Sequence, residues 1–223
     1  MRVLVLEDDT VLAGQLQDAF NAAGYAVDLS DDGERGEFLG MTEDYDAVVL
    51  DLCLPRMDGL EVLERWRAAK RAMPVMVLTA RGNWSEKVVG FDAGADDYVA
   101  KPFHMEEILA RLRALIRRAA GHAEATLECG GILLDTRSTR VTLNGQPVAL
   151  TAQEYRLLAY MMLRPGSVVS RGELTDHLYC QNGDPDSNTI EVFVSRLRRK
   201  LGNDCIETLK GQGYRLEDGG RGV

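Results

Sequence analysis

Residues 48–59 read VVLDLCLPRMDG, an apolar run that ends on a bare carboxylate, Asp51, ahead of Pro55 and a Met-Asp-Gly turn. Such a run, bounded by turn residues, predicts a buried strand with Asp51 emerging at its carboxyl end. A carboxylate placed there can attack a phosphoryl donor and form an aspartyl phosphate. Glu7, Asp8 and Asp9 follow a second apolar run, Val3–Leu6; Thr79 follows Val75–Leu78, and Lys101 follows Tyr98–Ala100. Clustered carboxylates raise one another's pKa unless a cation sits among them. Carboxylate oxygens with water suit Mg²⁺, which usually works with a phosphoryl group. Lys101 would then neutralise one phosphoryl oxygen and the Thr79 hydroxyl would bond another. The plain alternative is a solvated acidic rim, since an Asp after a strand is more often a helix cap and a Lys before a proline more often surface.

These residues converge only if the elements behind them form one sheet. Strand-like runs at Val3–Leu6, Val27–Leu29, Ala47–Leu50, Val75–Leu78 and Tyr98–Ala100 alternate with helical stretches near 10–22, 33–41, 59–70, 84–92 and 104–119. Five β-α units in series predict an α/β doubly wound parallel sheet covered on both faces. Ligands of such sheets bind at the carboxyl ends of the strands, where four of these five runs end in a polar or charged group.

After Arg118 a small-residue stretch, AAGHAEAT, marks a linker at 120–125 between a unit spanning 1–119 and another spanning 126–218, with 219–223 as a tail. The second unit has an α+β grammar. Alternating segments LECGGILLD and TRVTLNGQPVAL, with an Asn144-Gly145 hairpin signal, precede three helices and a closing hairpin through Gly211-Gln212-Gly213. Thr151 with Glu154, and Ser170 with Glu173, have capping-box spacing. On SNTIEVFVSRLRRKL, at 100° per residue, Ile190, Val194, Leu197 and Leu201 share a core face, flanked by Phe193. Asn188, Val192, Ser195, Arg196 and Arg199 lie opposite, with Arg198 and Lys200 on the flanks. A basic face is usually just solvated, but donors mixed with a small hydroxyl and an apolar Val suit base edges and thymine methyl groups.

The formal net charge of −9 argues at first against a nucleic-acid partner. The average hides an asymmetry: residues 1–120 carry 14 basic and 22 acidic side chains, residues 121–223 carry 12 and 13, and four of the six residues in SRLRRK are cationic. No apolar stretch reaches membrane-spanning length and no signal-peptide pattern opens the chain, so a cytoplasmic protein is expected. Cys53, Cys129, Cys180 and Cys205 lack metal-ligand spacing, and neither a disulfide nor zinc is expected.

EDD at 7–9, LDLCLPRMDG at 50–59, LTA at 78–80 and DDYVAKPF at 96–103 together resemble the signature of response-regulator receiver domains over about the first 120 residues. LTAQEYRLL, SRGEL, SNTIEVFVSRLRRKL and KGQGYRL resemble the winged helix-turn-helix effector domain of the OmpR/PhoB family of bacterial two-component systems. The first resemblance implies a CheY-like fold of strand order 2-1-3-4-5 and phosphoryl transfer from a sensor histidine kinase to Asp51. It also implies Mg²⁺ held by Glu7, Asp8, Asp51 and the backbone carbonyl of Cys53, with Asp9 a neighbour only, and a cis peptide at Lys101-Pro102. Thr79 and Tyr98 fall at the family's switch positions, where the Thr moves onto the phosphoryl group and the Tyr ring rotates inward. Cys53 and Arg81 stand at two variable positions; neither is a carboxylate or amide able to orient a hydrolytic water, so self-dephosphorylation is expected to be slow.

The second resemblance implies binding to double-stranded promoter DNA. Asn188, Thr189, Val192 and Arg196 would read the major groove beside Ser195, and Arg198, Arg199 and Lys200 would contact phosphates. A wing with Tyr214 and Arg215 would lie against the minor groove, and the loop at 179–187 falls where RNA polymerase contacts can be made, although it equally fits an ordinary connector. Receivers of the family pair through charged partners, matched here by Lys87 with Glu107, Asp97 with Arg111, and Asp96 with Arg118, giving a homodimer on phosphorylation and direct-repeat half-sites. Two rivals stand beside this reading. A phosphatase-like hydrolase would need a second acid where Cys53 stands, and a constitutive dimerisation module would not need the full Asp, Thr and Lys set.

Overall fold

The computed structural model describes residues 1–79, 88, 90–178 and 189–217. The chain divides into two units, Met1–Ala119 and Ala120–Val223.

In the first unit the apolar runs become β1 (Arg2–Leu6), β2 (Ala26–Ser30), β3 (Ala47–Asp51), β4 (Val75–Thr79) and β5 (Asp97–Ala100). They pair in parallel in the order β2-β1-β3-β4-β5. Every residue of β1, β3 and β4 is buried, as a sheet covered on both faces requires. The covering helices are α1 (Thr10–Ala22), α2 (Gly33–Thr42), α3 (Gly59–Ala68) and α4 (Met105–Ala119), and Gly90, Phe91 and Asp92 between β4 and β5 are also helical. The expected helix at 59–70 closes two residues early, where Lys70 takes a left-handed φ of 61°. Asp9, Asp32 and Asp58 cap α1, α2 and α3 by accepting backbone N–H bonds at their first turns. Trp66 of α3 is fully buried against Gly40 of α2, where a β-carbon would come within 2.4 Å of the indole, so glycine lets the two helices close over one end of the core.

The second unit opens with a four-stranded antiparallel sheet, β6 (Thr126–Cys129), β7 (Ile132–Asp135), β8 (Arg140–Leu143) and β9 (Gln146–Pro147). The Asn144-Gly145 turn joins β8 to β9 with φ of 49° and 79°, the positive pair that a two-residue hairpin demands. Helices α5 (Ala152–Met162), α6 (Arg171–Leu178) and α7 (Thr189–Leu201) follow, then the hairpin β11 (Ile206–Leu209) and β12 (Gly213–Leu216). A two-residue strand that the sequence pattern does not signal, β10 (Val168–Val169), completes a three-stranded sheet of order β10-β12-β11. Thr151 and Glu154 form the expected capping box. The second box is half made: Ser170 Oγ accepts the Glu173 N–H at 3.1 Å, but the Glu173 carboxylate takes the buried Tyr160 hydroxyl at 2.8 Å instead. The phenol has more to lose by staying unpaired than an exposed backbone N–H.

Candidate functional site

Parallel pairing brings the strand ends to one edge. Leu6 pairs with Leu50 and Asp51 with Leu78, so Glu7, Asp51 and Thr79 leave the sheet side by side, with Lys101 one residue beyond β5. Ligand oxygens of Glu7, Asp8 and Asp51 lie within 4.8 Å of one another; Glu7 and Asp51 are buried and Asp8 is exposed. Lys101 Nζ donates to Asp51 Oδ2 at 2.6 Å and to Glu7 Oε2 at 2.7 Å. The Lys101-Pro102 bond is cis, and the Lys101 N–H donates to the Thr79 carbonyl at 2.7 Å. Thr79 is buried at the rim.

The electrostatics follow from this crowding. Burial pushes the Glu7 carboxyl above its ordinary pKa; the nearby Asp51 charge adds to the rise and Lys101 opposes it. Burial also disfavours the Lys101 ammonium, yet its bonds to Asp51 and Glu7 outweigh that cost and hold its pKa above the ordinary lysine value. Lys101 thus meets two of the three clustered carboxylates, and Asp8 is not bonded to it. A divalent ion held by Glu7, Asp8 and Asp51, with water filling the exposed side of Asp8, fits a hard-oxygen donor set of this size. Asp51 Oδ1 also accepts the Cys53 N–H at 3.1 Å, which fixes the carboxylate plane. Asp9 spends its side chain capping α1 and is not among the clustered acids.

The Tyr98 ring is already turned inward, 7% exposed, with its centroid 5.9 Å from that of Phe91 and its edge against Gly90. Four of the six expected dimer residues are engaged within the chain. Arg111 donates to Asp97 at 3.1 Å and to Glu107 at 2.8 Å, while Asp96 accepts from Arg67 at 3.2 Å and from the Val75 N–H at 2.8 Å. Arg118 is exposed at the end of α4. Lys87, Arg81 and Asn188, the loop at 179–187 and the tail at 219–223 fall outside the described residues.

On α7 the buried face is Ile190, Phe193, Val194, Leu197 and Leu201, as the phase requires. Val192 is 43% exposed and Ser195, Arg196 and Arg199 are exposed beside it, with Arg196 5.9 Å from the Phe193 ring centre. Four of the expected DNA-contact residues are engaged or buried within the unit. Arg198 donates to the Ile206 carbonyl at 2.6 and 2.9 Å and to Thr208 Oγ1 at 2.7 Å, so it ties α7 to β11. Lys200 Nζ bonds the buried Glu154 carboxylate at 2.7 Å and the Ala149 carbonyl at 2.8 Å, tying α7 to the start of α5. Tyr214 is buried, and Arg215 is held across the hairpin by Glu207 and along its own strand by Glu217. Side chains on the flanks of a helix or on a hairpin face are within reach of neighbouring carbonyls and carboxylates, and here those neighbours take them.

A cluster of carboxylates with a lysine at the carboxyl edge of a 2-1-3-4-5 sheet, followed by a separate unit of three helices and a wing, defines a receiver domain coupled to a regulatory DNA-binding domain. The response regulator receiver domain family matches residues 3–113, and the family of the C-terminal domain of transcriptional regulatory proteins matches residues 145–216. The transcriptional regulatory protein QseB of Haemophilus influenzae is 44% identical over 216 residues, covering 97% of this chain and 98% of its own. The two-component response regulator PhoP of Pseudomonas aeruginosa is 44% identical over 218 residues, covering 96% and 97%. The receiver domain of the Francisella response regulator 1452 superposes with a TM-score of 0.51 at 33% identity, covering 52% of this chain and 97% of that one. The chain belongs to the OmpR/PhoB family of two-component response regulators, which act as transcription regulators. Among the described residues no helix is long and apolar enough to cross a membrane.

Proposed function

We propose that Asp51 accepts a phosphoryl group from a sensor histidine kinase in the cytoplasm and that the modified protein pairs through its receiver and binds promoter DNA. The observation that carries this reading is the buried Asp51 carboxylate paired to Lys101 at 2.6 Å beside Glu7 and Asp8. An Asp51 oxygen attacks phosphorus as the phosphorus–nitrogen bond to the donor imidazole breaks; the nitrogen keeps the electron pair and the acyl phosphate remains. Lys101 supplies a fixed positive charge and Thr79 a hydroxyl on the same rim, and Glu7, Asp8, Asp51 and the Cys53 carbonyl would hold Mg²⁺, which neutralises charge on the phosphoryl oxygens. With Cys53 two residues beyond the acceptor, no carboxylate or amide there orients a hydrolytic water, so the acyl phosphate should outlast seconds.

The pairing surface is Lys87, Asp96, Asp97, Glu107, Arg111 and Arg118. Because Arg111 already bridges Asp97 and Glu107, and Asp96 already meets Arg67, dimerisation would exchange or share contacts and not simply add them. Exposed pairs of this kind contribute about 0–1 kcal/mol each, so they set geometry and reversibility. Asn188, Thr189, Val192, Ser195 and Arg196 would read bases, Arg198, Arg199 and Lys200 would meet phosphates and Tyr214 and Arg215 the minor groove, with Arg198, Lys200 and Arg215 sharing or exchanging their internal bonds, on direct-repeat half-sites, while the 179–187 loop offers a contact for RNA polymerase. Selection of random duplexes and sedimentation, each with and without prior phosphorylation, tests the reading. Tighter selection and a dimer should appear in wild type and be lost in Asp51→Ala. Equal behaviour of the two proteins would refute it.

A further inference from the structure

The turn between β2 and α2 touches both halves of the acidic site. On one side the Glu7 N–H donates to the Ser30 carbonyl at 3.0 Å. On the other, the Gly33 N–H donates to the Pro55 carbonyl at 3.1 Å, in the loop that follows Asp51. Between them, buried Ser30 closes the turn by donating from Oγ to the Asp32 carbonyl at 2.8 Å. Asp32, also buried, caps α2 through the Arg35 N–H at 2.8 Å and faces Arg56 of the acceptor loop at 3.4 Å.

The fit at Gly33 is tight. A β-carbon there would stand 2.0 Å from the Met57 carbonyl oxygen and 2.8 Å from its carbon, so any larger residue must displace loop backbone. The loop tip has little freedom to yield: Arg56 is held at a φ of 68°, which a residue with a β-carbon keeps only where its surroundings impose it, and the base is closed by the Gly59 N–H on the Leu52 carbonyl at 2.9 Å. The β1–β3 pairing runs only from Val3–Ala47 to Leu6–Leu50. Glu7, Asp8 and Cys53 lie beyond that ladder, so the ladder does not fix the separation of the acidic pair from the acceptor loop.

We propose that Ser30, Asp32 and Gly33 form a brace that sets this separation, making them positioning residues for divalent-cation binding and phosphoryl acceptance at Asp51. The inference rests on the reading of Asp51 given above. It is tested on the full chain by calorimetric titration with Mg²⁺, by the initial rate of phosphorylation from a small phosphoryl donor at saturating Mg²⁺, and by thermal melting. The proteins compared are wild type, Gly33→Ala, Ser30→Ala and Gly40→Ala. An atom displaced by about 1 Å costs about 100-fold in a positioned reaction, so Gly33→Ala should slow acceptance by about that factor and weaken Mg²⁺ binding. Ser30→Ala removes one buried hydrogen bond while leaving the Ser30 carbonyl on Glu7, and should weaken Mg²⁺ binding roughly 3- to 10-fold. Gly40→Ala crowds Trp66 instead, so it should lose melting temperature yet keep wild-type Mg²⁺ affinity.

Wild-type Mg²⁺ affinity in both Ser30→Ala and Gly33→Ala would overturn the brace while leaving Asp51 as acceptor. If Gly33→Ala does not fold, Ser30→Ala decides alone. A wild-type protein that takes up neither Mg²⁺ nor a phosphoryl group would overturn the reading of the site, and the brace with it.

Discussion

Lys101→Met removes an ammonium that meets both Glu7 and Asp51, the buried carboxylates of the rim. At 2.6 and 2.7 Å each pair has a gross attraction of roughly 6 kcal/mol at an effective dielectric constant of about 20. Most of that is offset by the desolvation of the three charges. Breaking a fully buried pair costs about 3–5 kcal/mol. Lys101 retains 19% side-chain exposure, so water partly screens the loss, and a cost of about 2–3 kcal/mol is expected in the presence of a chelator. With a urea dependence of about 1–3 kcal/mol per molar, the unfolding midpoint should fall by about 0.7–3 M. Both tryptophans, Trp66 and Trp84, belong to the Met1–Ala119 unit, so their fluorescence during urea unfolding of the full chain reports on the receiver alone. Adding Mg²⁺ should stabilise the variant more than the wild type, because a divalent ion supplies the compensation the lysine no longer gives. Equal midpoints in chelator, or a gap that Mg²⁺ leaves unchanged, would refute the electrostatic reasoning.

The effector unit carries its own tests. Burial raises the Glu154 carboxyl, but Lys200 and the Thr151 N–H outweigh it and hold its pKa below the ordinary value. A carboxylate depressed on folding stabilises above its unfolded pKa, and that contribution is lost as pH falls through the folded one. Lys200→Met should therefore cost about 1–3 kcal/mol at neutral pH and move acid unfolding of the effector unit to higher pH, read by circular dichroism; an unmoved acid transition would contradict this. Arg198→Ala should lower the effector unit's denaturation midpoint by a similar energy of about 1–3 kcal/mol, since three hydrogen bonds to β11 disappear. Arg199→Ala should weaken binding to all duplexes alike and reduce the salt slope by about 1, whereas Val192→Ala should change which duplexes are selected. Fluorescence anisotropy across a salt series separates the two.

Much of the receiver was legible because parallel strands buried on both faces must be continuous apolar runs. Locating Val3–Leu6, Ala47–Leu50, Val75–Leu78 and Tyr98–Ala100 was enough to bring Glu7, Asp51, Thr79 and Lys101 to one rim. The core face of α7 was equally legible, since helical phase alone separates Leu197 from Arg196. Phase cannot say what stands opposite a flank. Arg198 meets the Ile206 carbonyl and Lys200 meets Glu154, residues 8 and 46 positions away, and helical phase gives no sign of either bond. The strand at Val168–Val169 is too short to carry a pattern and exists through its pairing with Tyr214 and Arg215. The role of the Ser30–Gly33 turn is not legible for a related reason: its links to Glu7 and to the Pro55 loop are made by backbone atoms, and side-chain type does not encode them.

The central claim is that Asp51 accepts a phosphoryl group with the help of a divalent cation. Intact-mass measurement after incubation with a small phosphoryl donor tests it most directly, using wild type and Asp51→Asn, each with Mg²⁺ or with a chelator. One added phosphoryl group is expected in wild type with Mg²⁺ and in none of the other three samples. An equal gain in Asp51→Asn, or in chelated wild type, would contradict it.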